Sequence, residues 1–247
     1  MSMKIIGLLG GTSWPSTPQY YEYLNTRISN ALGGHRSARI ILYSIDYHPI
    51  KSLYPDGWDD IPKLLGEELK ALDGMGPDCI LICNNTLHKG YDLLVEQQEI
   101  ALMGQVIHIV VATAKHAMEM GCKRVLLMGT KFTMEDGFFK DRLQFFGLDV
   151  DVPNAQDREE IQEIQTQIAA GRMDERFRDQ FKAMLSRYRG YDAVILGCTE
   201  LPLAIGEAET DMPIINPVHV QCDAAVKLVL ASVKDQDAAS HAGSAIS

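Results

Sequence analysis

The sequence predicts an α/β fold made of two similar lobes, each a mostly parallel sheet flanked by helices. Two observations support this prediction. First, apolar runs of four to five residues alternate with segments whose apolar residues recur at helical spacing, which is typical of parallel sheets covered by helices on both faces. Second, the two halves of the chain carry similar motifs in the same order, which indicates a duplication.

The individual elements follow from these two patterns. Strands are predicted at residues 4–9, 40–45, 79–82, 124–128, 148–152, 193–197 and 214–215, and helices at 16–32, 61–72, 108–120, 134–146, 158–170, 175–189 and 218–233. Ser16 and Thr17 are expected to cap the start of the first helix. Tyr21, Leu24 and Ile28 recur at helical spacing, so we expect them to form its buried face.

The duplication defines the predicted domains. Residues 4–12 resemble residues 123–130, because both pass from a basic residue through an apolar strand into a glycine and threonine turn. The first lobe is predicted to comprise residues 1–100 and 214–234, and the second residues 101–213. Each lobe would give one glycine turn and one cysteine to a cleft between them. Residues 235–247 are rich in Ala, Ser and Gly without apolar periodicity, so we expect a disordered tail.

Composition restricts the partners and the location. The 247 residues carry a formal net charge of −10, which disfavours nucleic acid and anionic membranes as partners. No apolar stretch approaches the roughly 20 residues of a membrane span, and the first eleven residues do not resemble a signal peptide. We therefore expect a cytoplasmic protein. Five cysteines without CxxC spacing favour neither a disulfide framework nor a structural metal.

Cys83 and Cys198 are the first candidates for chemistry. Each ends an apolar run and precedes small polar residues, so each is expected at the carboxyl edge of a parallel sheet, where α/β folds bind ligands. The following N–H groups are expected to stabilise a thiolate and lower the thiol pKa. Two thiols in equivalent settings suggest a matched acid and base, although position alone leaves a packing role open. Packing is the prediction for the other three cysteines: Cys79, Cys122 and Cys222.

Polar residues beside these cysteines are candidates for binding. The turn containing Gly11, Thr12 and Ser13 lacks the GxGxxG spacing and the Walker lysine, so a small carboxylate suits its amides and hydroxyls better than a nucleotide does. Further donors are predicted at Asn84, Asn85, Thr86 and Thr199. Glu200 could hold a substrate ammonium or stabilise a helix N-terminus.

The histidines receive a simpler interpretation. His88 and Lys89 are interpreted as first-turn helix residues that face solvent, although His88 could also act as a base or metal ligand. His108 is interpreted as an isolated packing or surface residue.

Taken in order, the motifs resemble those of the aspartate/glutamate racemase family. The resemblance covers residues 4–229 and is carried by Leu9-Gly10-Gly11-Thr12-Ser13-Trp14, Ser44-Ile45-Asp46, Cys83-Asn84-Asn85-Thr86-Leu87-His88-Lys89, Leu127-Met128-Gly129-Thr130 and Gly197-Cys198-Thr199-Glu200. It implies a cofactor-independent enzyme, without pyridoxal phosphate or metal, that racemises aspartate, with glutamate as the second candidate. It also implies a homodimer.

The resemblance implies catalytic roles for the two cysteines. One thiolate would remove the α-proton of the amino acid and the opposite thiol would protonate the other face. Substrate binding would fall to the residues around them: Gly11, Thr12, Ser13, Asn84, Asn85, Thr86, Thr199 and Glu200. Since no electron sink is evident, these donors would have to stabilise the developing negative charge.

Several positions depart from the family pattern. Thr12 stands where Met is common, Asn84 replaces Thr, and Val111 occupies a place often held by Asp. Asn216-Pro217 replaces an Asp-Thr pair, and Gln221 stands at the place of a histidine. Both cysteines remain, so racemisation is still favoured, but the side-chain preference is left open.

Two other classes of function remain open at this stage. One is a related isomerase or lyase, such as a maleate isomerase or an arylmalonate decarboxylase, and the presence of both cysteines disfavours the decarboxylase. The other is a binding protein that uses the cleft to sense an acidic amino acid. A thiol-redox role is disfavoured because CxxC is absent.

Overall fold

The computed structural model describes residues 3–54, 56–205 and 212–244, the last eleven of these as backbone only. Within them lie eight strands: β1 (Ile5–Gly10), β2 (Arg39–Ser44), β3 (Cys79–Ile82), β4 (Gln105–Val106), β5 (Arg124–Gly129), β6 (Asp149–Asp151), β7 (Ala193–Gly197) and β8 (Ile214–Ile215). The helices are α1 (Thr17–Leu32), α2 (His48–Lys51), α3 (Ile61–Asp73), α4 (Leu87–Glu96), α5 (Ile109–Glu119), α6 (Lys131–Glu135), α7 (Phe138–Phe145), α8 (Ala155–Ala169), α9 (Arg176–Leu185), α10 (Leu201–Ile205) and α11 (Pro217–Ser244).

The strands form two four-stranded parallel sheets with the same strand order. The first sheet runs β2-β1-β3-β4 and the second runs β6-β5-β7-β8, and every strand pair is parallel. In each sheet, the strand that comes first in the chain lies second in the sheet, between the second and third strands of the chain. Strand β1 of the first sheet therefore corresponds to β5 of the second, and β3 corresponds to β7. The predicted α/β fold with two duplicated halves is confirmed.

The chain separates into two compact units, each containing one sheet. The first comprises Met1–Cys83, Gly90–Ile107 and Gln221–Ser247, and the second comprises Asn84–Lys89 and His108–Val220. The segment Asn84–Lys89 thus belongs to the second unit although it directly follows β3 of the first. Hydrophobic periodicity does not predict that this segment packs in the second unit, because the segment is too short to show a period.

Burial in the first unit follows the strand positions. Both central strands, β1 and β3, are almost wholly buried, whereas the edge strand β2 is half exposed. On α1 the buried face contains Tyr20, Leu24 and Ile28, while Tyr21 is 53% exposed, so the prediction for Tyr21 is wrong. The spacing predicted burial of Tyr21 because residues three and four apart share a helix face.

Sheet two has a core on each face. One cluster contains Leu126, Met128, Val194 and Leu196 packed against α8, α9 and α10. The other contains Val125, Leu127, Ala193 and Ile195 packed against α5 and α7. Successive residues of β5 and β7 alternate between these clusters, as the period of a strand requires.

The observed elements differ from the predicted ones in some details. The predicted helix at 134–146 is two helices, α6 and α7, because Gly137 between them has a positive φ of 95°. Strand β4 was not predicted because only two residues form it. Helix α11 extends through residues 235–244, where the sequence predicts disorder. Alanine's high helix propensity favours such an extension. Residues 245–247 lie outside the described residues.

None of the helices in the described part of the chain is long and apolar enough to cross a membrane.

The turn after β1 requires glycine at position 11. Gly11 has a φ of +85°, and an added Cβ would lie 2.3 Å from the Ile45 carbonyl oxygen. We expect Gly11→Ala to lower the free energy of unfolding by about 2 kcal/mol or more, because strain and a backbone clash add. Urea denaturation followed by circular dichroism measures this change.

Gly34→Ala is the matched control for that substitution. Gly34 also has a positive φ, of +63°, but nothing lies within 4 Å of its added Cβ, so only strain of about 1 kcal/mol applies. Equal losses of stability in the two variants would contradict the predicted clash.

Candidate active site

The two candidate cysteines occupy equivalent places in the two sheets. Cys83 directly follows β3 and Cys198 directly follows β7. Each of these strands pairs in parallel with the first strand of its sheet. Both thiols therefore stand at the carboxyl end of a central strand, where parallel sheets place ligand-binding groups.

In the first unit, the glycine turn after β1 contacts Cys83 directly. The Thr12 hydroxyl donates to the Cys83 carbonyl oxygen at 3.0 Å, and the Gly11 amide donates to the Thr17 hydroxyl at 3.1 Å. Ser13 is half-buried, and its carbonyl oxygen accepts from the backbone amides of Ser16 and Thr17 at the start of α1. The predicted neighbours Gly11, Thr12 and Ser13 thus lie on one turn beside Cys83.

The Cys83 thiol lies in a dry environment. Its side chain is fully buried, and Sγ lies 3.8 Å from the Leu81 carbonyl oxygen. Burial raises the pKa of this thiol, because a thiolate would lose its hydration. The expectation that neighbouring N–H groups lower the pKa of Cys83 is therefore wrong in direction.

In the second unit, Cys198 lies against a carboxylate. Its Sγ hydrogen-bonds to Oε2 of Glu200 at 2.9 Å, and the Thr199 hydroxyl donates to the same oxygen at 3.0 Å. Burial raises the pKa of Cys198, and the negative charge of Glu200 raises it further. The backbone N–H groups of Glu200 and Leu201 act in the predicted, opposite direction, but burial and the carboxylate outweigh them.

The segment after Cys83 contains one satisfied and one unsatisfied amide side chain. Oδ1 of Asn84 accepts from the Leu87 backbone N–H at 3.0 Å, which caps the start of α4. Asn85 is 5% exposed, and neither its Oδ1 nor its Nδ2 has a hydrogen-bond partner among the described residues. Buried polar groups are normally paired, so the Asn85 side chain is a candidate for binding a ligand. Thr86 is half-buried beside it.

His88 does not face solvent, so its predicted exposure is wrong. Its side chain is fully buried, and its ring centroid lies 4.4 Å from that of His108. His108 is therefore not isolated. Its Nδ1 accepts from the backbone amides of Val110 and Val111 at the start of α5. His88 and His108 are far apart in sequence, so only the tertiary structure brings their two imidazoles together.

Lys89 anchors the same segment through a charged partner that sequence reasoning missed. Its Nζ lies 2.8 Å from Oδ2 of Asp136 and 5.2 Å from the centroid of the Phe132 ring. Both side chains of the ion pair are mostly buried. This pair and the histidine contact hold Asn84–Lys89 within the second unit.

Two of the departures from the family pattern have structural roles. The buried Gln221 donates from Nε2 to the Ile107 carbonyl oxygen at 2.7 Å. Asn216 accepts from the Val218 backbone N–H at 3.0 Å, which caps the start of α11. Cys79, Cys122 and Cys222 are buried and free of disulfides, as expected for packing residues.

Comparison with known proteins agrees with this fold. Residues 9–225 match the family described as Asp/Glu/Hydantoin racemase. A candidate Asp/Glu racemase from Yersinia pestis is 34% identical with a TM-score of 0.82, covering 92% of this chain and 100% of that chain. An aspartate racemase homologue from Pyrococcus horikoshii OT3 is 31% identical with a TM-score of 0.79, covering 92% and 99%.

A third relative extends the similarity of fold. Aspartate racemase from Picrophilus torridus is 22% identical with a TM-score of 0.74, covering 92% of this chain and 94% of that chain. The two-sheet fold and these similarities define an isomerase of the racemase type. The chain belongs to the Asp/Glu/Hydantoin racemase family, whose members act on small amino-acid substrates. The resemblance inferred from its motifs is confirmed.

The unsatisfied Asn85 side chain leads to a stability prediction. We expect Asn85→Leu to raise the free energy of unfolding by about 1 to 3 kcal/mol, because an apolar side chain of similar size removes two unpaired buried polar groups. Asn84→Leu, one residue earlier, should instead lower it by about 1 kcal/mol by removing the cap of α4. Chemical denaturation of both variants measures the difference, and a loss of stability in Asn85→Leu would contradict the prediction.

Proposed function

We propose that this protein racemises an acidic amino acid, aspartate first and glutamate second, using Cys83 and Cys198 as the two bases and no cofactor. The observation that carries the proposal is the equivalence of the two thiols, each buried directly after the same central strand of its sheet. In a two-base mechanism, one group on one face of the carbon accepts the proton and a second group on the other face donates one, and two cysteines can exchange these roles between the two directions.

The proposed reaction conserves protons in each direction. A thiolate at one cysteine takes the α-proton and becomes a thiol, which leaves an electron pair on the α-carbon. The thiol of the other cysteine gives its proton to the opposite face and becomes a thiolate. The reverse reaction uses the same two groups with their roles exchanged.

Asn85 supports an amino acid as the substrate. Its side chain offers one buried donor group and one buried acceptor, and neither has a partner in the described part of the chain. An amino acid has a carboxylate that accepts from Nδ2 and an ammonium that donates to Oδ1. A dicarboxylate without an ammonium would leave Oδ1 unpaired, which disfavours the maleate isomerase alternative.

The other proposed binding residues are Gly11, Thr12, Ser13, Asn84, Thr86, Thr199 and Glu200. Since Oδ1 of Asn84 already accepts from Leu87, this residue would bind substrate through its N–H groups. Oε2 of Glu200 accepts two hydrogen bonds, and the proposed role of its carboxylate toward the substrate is to accept from the ammonium. The homodimer, the cleft between lobes and the cytoplasmic location are proposed from the family resemblance and the sequence.

Exchange of the α-proton tests the proposed function. The protein is incubated in heavy water with L- and D-aspartate, L- and D-glutamate and other amino acids, and the α-proton signal is followed by NMR. Loss of the signal together with formation of the other enantiomer supports the proposal and identifies the substrate. Isomerisation of maleate without exchange in any amino acid would overturn it, as would binding of aspartate without exchange.

Removal of either proposed base should abolish racemisation. We expect Cys83→Ser and Cys198→Ser each to lower kcat by about 10²- to 10⁴-fold or more, since a hydroxyl is a far weaker base than a thiolate. Cys79→Ala is the matched control, because Cys79 is an equally buried thiol on the same strand and should retain activity. Undiminished turnover in either serine variant would exclude the two-base mechanism.

The raised thiol pKa values predict a pH dependence. Burial raises the pKa of both thiols, so near neutral pH little of either is thiolate. Since the reaction requires one thiolate, kcat/KM should rise with pH, by up to about tenfold per pH unit, until the lower pKa of the pair is reached. Initial rates between pH 6 and 8.5 measure this profile, and a constant kcat/KM over that range would contradict it.

A further inference from the structure

The surroundings of the two thiols differ in charge. Cys198 hydrogen-bonds to the carboxylate of Glu200 at 2.9 Å, and the Thr199 hydroxyl holds the same oxygen in place. The hydrogen-bond acceptor at Cys83 is a neutral carbonyl oxygen, that of Leu81 at 3.8 Å. A thiol can donate to either acceptor, but only a thiolate at Cys198 would lie against a negative charge.

Glu200 is the charged group that acts on Cys198 within the described residues. Cys198 belongs to a buried apolar cluster that includes Met128, Met134 and Leu201. Among the described residues, Glu200 is the side chain whose charge raises the pKa of Cys198, whereas burial raises that of Cys83. The carboxylate therefore introduces an asymmetry into an otherwise duplicated pair.

We propose that Glu200 determines which thiol of the pair ionises: its carboxylate holds Cys198 as the thiol, so the thiolate of the substrate-free reactive form (the resting form), a minor species near neutral pH, lies at Cys83. This inference rests on the proposed two-base function. Glu200 acts through Cys198 and is a positioning residue for its proton.

The proton balance explains what this asymmetry does. In the resting form, Cys83 accepts the α-proton and Cys198 donates its proton to the opposite face. Product then leaves an enzyme with a Cys83 thiol and a Cys198 thiolate. Repulsion between that thiolate and Glu200 favours proton return through water, in which Cys198 gains a proton and Cys83 loses one.

This arrangement changes kcat and KM of each enantiomer but leaves the equality of kcat/KM between the enantiomers intact. Enantiomers have equal free energies in water, so kcat/KM must be equal in the two directions for any variant. The enantiomer that binds the more populated protonation form has the lower KM, and its kcat is lower by the same factor. A change in the resting form must therefore shift the KM ratio and the kcat ratio together.

The first experiment measures protonation without requiring activity. Cysteine labelled with ¹³C at Cβ is introduced into Cys83→Ala protein with and without Glu200→Gln, and the Cys198 signal is titrated by NMR. We expect Glu200→Gln to lower the Cys198 pKa by about one pH unit or more, since it removes a neighbouring like charge. An unchanged or higher pKa would overturn the proposal.

Two further variants control this titration. Glu163→Gln removes the same charge from an exposed position on α8 of the same unit and should leave the Cys198 pKa unchanged. An equal shift in this control would overturn a specific role of Glu200. Glu200→Asp keeps the charge, so it should retain more of the raised pKa than Glu200→Gln. If Glu200→Gln does not fold, comparison of Glu200→Asp with the parent decides whether moving the carboxylate lowers the pKa.

The second experiment measures kinetics in the otherwise unchanged protein. In Glu200→Gln, the ratio of KM for the two enantiomers should change by about tenfold or more, and the kcat ratio by the same factor. A variant that loses activity equally for both enantiomers, with both ratios unchanged, would overturn the proposal. If the parent protein does not racemise at all, the proposed function fails, while the titration still reports whether Glu200 controls Cys198.

Discussion

Parallel pairing between the two central strands of each sheet positions the candidate site. In the first unit, β1 and β3 pair through registers such as Leu9 with Ile82, and the Cys83 amide donates to the Leu9 carbonyl oxygen at 3.0 Å. In the second, Gly129 pairs with Gly197 immediately before Cys198. An added Cβ at Gly129 would lie 3.1 Å from the Gly197 carbonyl oxygen, so the close approach of these strands depends on glycine.

This placement has an electrostatic consequence. At Cys198 the strand end that brings N–H groups near the sulfur also buries it, and burial and the Glu200 carboxylate outweigh those hydrogen bonds. At Cys83 burial raises the thiol pKa. A buried thiol that is hard to ionise becomes a strong base once it has lost its proton. Such a group suits removal of an α-proton that is itself a very weak acid.

The segment Asn84–Lys89 carries buried polar groups that lower its stability. Two groups of Asn85 remain buried without partners, while Asn84, His88 and Lys89 around it are held by a helix cap, a ring contact and an ion pair. Unsatisfied polar groups of this kind concentrate at functional sites, where a ligand completes their hydrogen bonds.

The sequence alone determined the α/β class, the duplication and the positions of both cysteines after their strands, because strand burial and glycine turns leave local patterns. Tertiary structure decided which face of α1 is buried, since Tyr20 and Tyr21 fit the period equally well. It also decided the contacts of His88 with His108, Lys89 with Asp136 and Cys198 with Glu200, and the direction of the thiol pKa shifts. These depend on burial and on distances between side chains, which hydrophobic periodicity does not encode.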